Sequence, residues 1–179
     1  IRQLLPKQIQ FGEAIVVLNP NDPVVSGALH FGVYERAETH FFESACRGGM
    51  TFLDVGANIG YYTALAARAV GPNGKVVALE PDPESYSYLE KTIDANSVGN
   101  VKSFRVAASN APANLPLFIS KDNRGDNRLY ASADKRPQIE VEARPVDELL
   151  TENNISTVDL IKIDVQGYEP KVIAGLSET

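Results

Sequence analysis

Hydrophobic and polar positions follow two rhythms along this chain, and the sharpest change between them falls at residues 51–60. Thr-Phe-Leu-Asp-Val at 51–55 is a short, nearly continuous apolar run of the kind buried in parallel sheets. Gly56 and Gly60 follow it, and Ile59, Tyr62, Leu65, Ala66, Ala69 and Val70 then recur at helical spacing. Asn58 is placed to cap that helix and Gly71-Pro72 to stop it. The run at 75–79 predicts a second strand. Asp82 as cap and Pro83 at the first helical position open a helix with Tyr86, Leu89 and Ile93 on its apolar face, ending between Asn96 and Asn100. Residues 101–108 predict a third strand and 158–164 a fourth. A last helix over 169–176 is expected to bury Val172 and Ile173.

The flanking segments are less regular. Residues 14–18 predict a strand and 19–23 a loop, within a stretch (1–34) expected to lie beside the core as a cap. Residues 35–46 predict a helix with Ala37, Phe41, Phe42 and Ala45 on one side, ended by Gly48-Gly49. Between 109 and 144, strands at 115–119 and 138–142 are joined by the polar stretch 121–128, and a short helix is expected at 145–150. A connection this long between core elements is usually functional. Strands alternating with helices argue an α/β fold, three layers with a mostly parallel central sheet. The expected organisation is an N-terminal extension at 1–45 and one Rossmann-like domain at 46–179, with 109–144 inserted as a hairpin.

Composition narrows the class. The chain has 179 residues, 44% hydrophobic and 22% charged, which suits one globular domain with a full core. No apolar run approaches the ~20 residues of a membrane span, and no basic stretch followed by an apolar one opens the chain. A cytoplasmic protein is the expectation, although Ile1 is not a start methionine and targeting stays open. Cys46 is the only cysteine, which excludes an internal disulfide and a cysteine-based zinc site. The net charge of −6, with basic residues scattered, argues against general nucleic-acid binding.

The candidate chemistry sits at the ends of the predicted strands. Asp54, Glu80 and Asp164 each terminate one, and ligands of open parallel sheets bind outside those carboxyl ends. A strand, a glycine turn and a helix N-terminus make a nucleotide-binding corner. A dinucleotide fingerprint would read G-x-G-x-x-G with an acid about 20 residues on. Glu80 fits as the acid, but the glycines here are G-x-x-x-G, and Asp54 would repel a pyrophosphate. A phosphate-free cationic ligand fits better. S-adenosylmethionine is one: its ammonium and sulfonium suit a carboxylate and its ribose diol suits Glu80. No metal is implied, because Asp164 has no second carboxylate or histidine at ligand spacing. Glu35, Glu38 and His40 precede the corner closely, but solvated helix positions are the better reading for them.

Three ordered motifs, Phe-Leu-Asp-Val-Gly-Ala-Asn-Ile-Gly-Tyr-Tyr-Thr at 52–63, Leu-Glu-Pro-Asp-Pro at 79–83 and Ile-Lys-Ile-Asp-Val-Gln-Gly-Tyr-Glu at 161–169, together resemble the FkbM family of S-adenosylmethionine-dependent methyltransferases. The resemblance covers roughly residues 31–176. It implies a class I methyltransferase fold and methyl transfer to a hydroxyl of a sugar or natural product, a small-molecule or glycan acceptor. By position, Asp54, Gly56, Asn58 and Gly60 match the first cofactor motif, Glu80 the ribose acid and Asp164 the acid of the fourth motif. With them, Pro81, Ala107 and Ala108 complete the expected cofactor-binding set. Asp164 is the candidate general base, with donor binding or loop bracing as its alternative role.

Two departures stand out. The family's fourth motif commonly reads Asp-Val-Glu-Gly, whereas this chain has Gln166. A class I sheet also has seven strands, and those beyond the Asp164 strand are not seen, so either the chain is a fragment or a neighbouring copy covers the open edge. A non-catalytic donor-binding module, a nicotinamide enzyme and, less favoured by charge, a nucleic-acid methyltransferase are the competing readings. The 109–144 segment is expected to close over the acceptor side, offering Arg124 and Arg128 to an anionic acceptor and leaving donor binding independent of it.

Overall fold

The structure, a computed structural model, describes residues 5–131, 133 and 135–179. In chain order its elements are β1 (Gln8–Phe11), β2 (Ala14–Val17), α1 (Pro23–His30), α2 (Arg36–Ala45), β3 (Thr51–Val55), α3 (Tyr61–Val70), β4 (Lys75–Leu79), α4 (Pro83–Asn96), β5 (Val101–Phe104), β6 (Ala107–Ser109), β7 (Ala113–Phe118), a 3-10 turn (Arg124–Asp126), β8 (Gln138–Pro145), α5 (Val146–Glu152), β9 (Leu160–Ile163) and α6 (Glu169–Ala174). The central sheet is all parallel, in the order β5-β4-β3-β9. β3 lies inside it with all five residues buried, as its continuous apolar run requires.

Alternation along the strands builds the layers. Phe52 and Val76 face one side, packing with α2, α3 and the β1–β2 hairpin. Leu53, Val55, Val77 and Leu79 face the other, packing with Val146, Leu149 and Leu150 of α5 and Val172 of α6. Each of these buried side chains contributes about 1.5–3 kcal/mol relative to exposure. The N-terminal hairpin is bound to α4: Asn96 Oδ1 accepts from Ile15 N at 2.9 Å, and Thr92 Oγ1 from Val17 N at 3.0 Å.

Several local expectations are corrected. The stretch 101–108 is two strands, because the chain leaves β5 at Phe104 and enters a second sheet, ordered β6-β8-β7. The expected loop at 19–23 ends in a helix start, and residues 23–30 form α1, with Asp22 Oδ1 accepting from Val25 N at 3.2 Å. Asn58 does not cap α3. Gly60 holds the cap position in the left-handed region, and Asn58 Oδ1 accepts from Ile59 N instead. Phe41 and Ile173 are 67% and 60% exposed, so of its expected face of four α2 buries Phe42 alone, and of its expected pair α6 buries Val172 alone. Among the described residues β9 pairs only with β3, leaving its outer side unpaired.

The turn after β3 brings two strand ends into near contact. Gly56 has φ +83°, and a Cβ built on it would lie 2.0 Å from the carbonyl oxygen of Asp164. Both the left-handed backbone and the missing side chain are needed there. Gly56→Ala is therefore expected to cost about 3 kcal/mol or more. An unchanged midpoint in chemical denaturation would show that the two strand ends can separate freely.

Candidate functional site

At the carboxyl ends of the central strands lies a cavity of about 320 Å³. Its floor is the turn Gly56–Ile59 with Glu80 and Pro81. One wall is apolar, from Leu79, Val106, Ala107, Ala108 and Leu117, and the opposite end carries Tyr34, Glu35, Tyr62, Lys162, Asp164 and Gln166. α1 contributes Val24, Val25 and Ala28, and the segment Asn123 to Asn127 closes the mouth.

Glu80 is the hub of the floor. It is 7% exposed, with Oε2 accepting from Asn58 N at 2.8 Å and Oε1 from Asp82 N at 2.9 Å. Each oxygen keeps a second lone pair free, a fit for vicinal hydroxyls. Burial is the largest influence on this carboxyl and pushes it up to about 8, against the two amide bonds that favour its charge.

Of the residues expected to hold a cofactor, Gly56, Asn58, Glu80, Pro81, Ala107, Ala108 and Asp164 line the cavity. Asp54 and Gly60 do not. Asp54 belongs to β3 and, by alternation, points under α3, where it is fully buried and Oδ2 accepts from Thr63 Oγ1 at 2.7 Å. Gly60 instead packs on α4, where a Cβ would lie 2.8 Å from Leu89 Cδ1. Glu35 reaches the cavity, whereas Glu38 and His40 do not line it. Sequence reasoning passed over Tyr34, Tyr62 and Lys162. For Lys162 the signal was present, a lysine set between two isoleucines in a core strand.

The segment after β7 lies elsewhere than expected. It is folded back by the Phe118–Arg128 backbone pair and lies across the Asn58 and Glu80 corner, with Gly125 beside Val25 and Asn58. Arg124 pairs with Asp82 at 2.6 Å and with Glu84, and its backbone N–H donates to Asp22 Oδ2 at 3.1 Å. Arg128 pairs with Asp126 at 2.7 Å. Both arginines are thus engaged in ion pairs within the chain.

The sequence profile of the methyltransferase FkbM domain matches residues 54–179. Methyltransferase 1 of Beauveria bassiana is 27% identical over 146 residues, covering 70% of this chain and 58% of that protein. The 2-O-methyltransferase NoeI of Sinorhizobium fredii is 27% identical, covering 71% and 57%. Among solved structures, the methyltransferase FkbM of Methylobacillus flagellatus is 17% identical with a TM-score of 0.48, covering 85% of this chain and 39% of that one. The chain thus spans somewhat over half the length of the curated relatives it matches. No helix among the described residues is long and apolar enough to cross a membrane, and no cluster of metal-ligating side chains occurs among them.

Two outcomes are expected of this site. Between pH 4.5 and about 8 the folded chain holds the Glu80 proton that the unfolded chain has released, so stability falls as pH rises through that window. Denaturation across it should show a flatter slope for Glu80→Gln than for the parent; equal slopes would remove Glu80 as the source. Arg124→Ala leaves Asp82, whose side chain is 3% exposed, without its cation, and is expected to cost about 1–3 kcal/mol of stability. Chemical denaturation with no loss of stability would show that the strap is held by other contacts.

Proposed function

The chain belongs to the FkbM family of methyltransferases, and on that premise we propose that it transfers a methyl group from S-adenosylmethionine to a hydroxyl of a sugar or natural product. The carrying observation is the single cavity that joins Glu80 and an apolar wall at one end to Asp164 at the other. Glu80 would accept from the ribose hydroxyls, and Ala107, Ala108 and Leu79 would flank the purine. The N–H groups of the first turn of α3 would meet the carboxylate of the methionine moiety, those of the preceding turn being taken up within the chain. When bound, the cofactor supplies a methyl already activated by a sulfonium, so the protein's contribution is largely orientation and exclusion of water.

Asp164 shares its end of the cavity with Glu35 and would be the carboxylate nearest the methyl. Its Oδ1 accepts from Gln166 Nε2 at 2.8 Å and Lys162 Nζ lies 3.6 Å from Oδ2. Held this way, it would accept a hydrogen bond from the acceptor hydroxyl and take its proton as transfer proceeds. The relative described as a 2-O-methyltransferase supports an oxygen acceptor. The strap lies over the donor corner, so donor binding is expected to depend on it.

Calorimetry with S-adenosylmethionine and with NAD tests the first half of this reading: preference for NAD would defeat it. Above about pH 8, where Glu80 is ionised, Glu80→Ala should weaken S-adenosylmethionine binding by about 1.5–3 kcal/mol, the scale of hydrogen bonds to a charged group. Labelled donor offered to saccharides, small phenols, polyketides and RNA tests the acceptor, with RNA expected to stay unlabelled. Asp164→Asn should keep donor affinity and lose turnover; intact turnover would remove it as base.

A further inference from the structure

Lys162 lies in register with Asp54 on neighbouring parallel strands, so both side chains leave the same face of the sheet. A lysine between Ile161 and Ile163 takes an ammonium largely out of water, which is costly unless acids meet it. Two do. Its Nζ stands 3.9 Å from Asp54 Oδ1 and 3.6 Å from Asp164 Oδ2, over the ring of Tyr62 at 5.2 Å. Its side chain is 20% exposed and lines the cavity.

Both acids need this cation. Asp54 Oδ1 is buried with no hydrogen-bond partner, so Lys162 is its counter-charge. Burial pushes the Asp54 carboxyl up, and Lys162 is the strongest influence holding it down. Asp164 is gripped on one oxygen by Gln166 and approached on the other by Lys162.

We propose that Lys162 is a positioning residue for methyl transfer, supplying the counter-charge to buried Asp54 and fixing Asp164 Oδ2 at the cavity wall. The proposal rests on the S-adenosylmethionine reading. Without the ammonium, a carboxylate as buried as Asp54 takes up a proton rather than remain charged and half-bonded. One positive and one negative charge then go together, which leaves the local net charge unchanged, and Asp164 is left held on one side. The groups facing Lys162 are Asp54 from β3, Asp164 beyond β9 and Tyr62 from α3, with Tyr34 and Glu35 at the same end of the cavity. Burial pushes both tyrosine hydroxyls up, so neither replaces the lost charge at neutral pH.

The test compares the parent with Lys162→Met, Lys162→Gln as a second neutral variant, and Lys162→Arg as the charge-preserving control. S-adenosylmethionine binding and denaturation are both followed from the acid to the alkaline side of neutrality. In the neutral variants donor affinity should match the parent's at the acid end, where the local net charge is the same, and exceed it by about tenfold at the alkaline end, where Asp54 ionises without its cation. Their stability loss should likewise be smallest at the acid end, where Asp54 is neutral. Arginine should restore most of both. A lysine that only fills space would shift both quantities by the same amount at every pH, and that result, or donor affinity equal to the parent's at every pH in the neutral variants, overturns the proposal. Failure of the parent itself to bind S-adenosylmethionine would instead defeat the donor reading, and this proposal with it.

Discussion

Keeping carboxylates out of water at the ends of a parallel sheet is the constraint on which this structure depends. Asp54 is fully buried and Glu80 nearly so. An isolated buried carboxylate costs several kcal/mol, so each must recruit partners. Asp54 draws Thr63 from α3 and Lys162 from β9. Glu80 draws the backbone of Asn58, in the turn after β3, and of Asp82, in the turn after β4. Two acids thereby fix the relative positions of three segments distant in sequence, 54–63, 80–82 and the strand that carries Lys162, and the cavity floor is the surface they share.

The mouth of the cavity is organised by helix caps. Asp22 and Asp82 each cap a helix that begins with proline, spending one oxygen on a backbone N–H of the first turn. Each offers its other oxygen to the same residue: Asp22 Oδ2 accepts from Arg124 N and Asp82 Oδ2 from Arg124 Nη1. The N-termini of α1 and α4 therefore converge on one arginine. None of the residues of the 3-10 turn is buried, so polar capping chemistry rather than apolar burial holds it across the corner.

The legible parts of the chain were those where local chemistry and tertiary environment agree. The limits of β3 and β4 follow from continuous apolar runs, and the start of α4 from Asp82-Pro83. The same Asp-Pro signal at Asp22-Pro23 was read as a loop, because Asn19, Pro20 and Asn21 before it are turn formers. Residues 101–108 read as one strand because side-chain pattern does not record a change of backbone partner at Arg105. Phe41 and Ile173 were expected inside because periodicity gives the apolar side of a helix but not how much of it is covered. Of the site, the acids were visible as strand endings. The burial of Asp54 was not, since a residue at the fourth of five strand positions faces a helix or a ligand according to a register that only the fold sets.

Gln166 shows why a departure from a family pattern has to be judged in place. It occupies the left-handed region at φ +55°, followed by Gly167 at φ +96°, in the turn that carries Asp164 to the cavity. From there its amide donates to Asp164 Oδ1 at 2.8 Å. A glutamate with the same reach would set a second carboxylate against Asp164, and like charges that close each disfavour the other's ionisation. Asp54, Asp164 and Lys162 sum to a single negative charge, and an amide at 166 leaves that sum unchanged while adding a donor. A carboxylate at 166 would raise it to two and add an acceptor where one is already in place. The glutamine therefore suits an arrangement in which Asp164 is oriented by an amide donor on one oxygen and an ammonium beside the other.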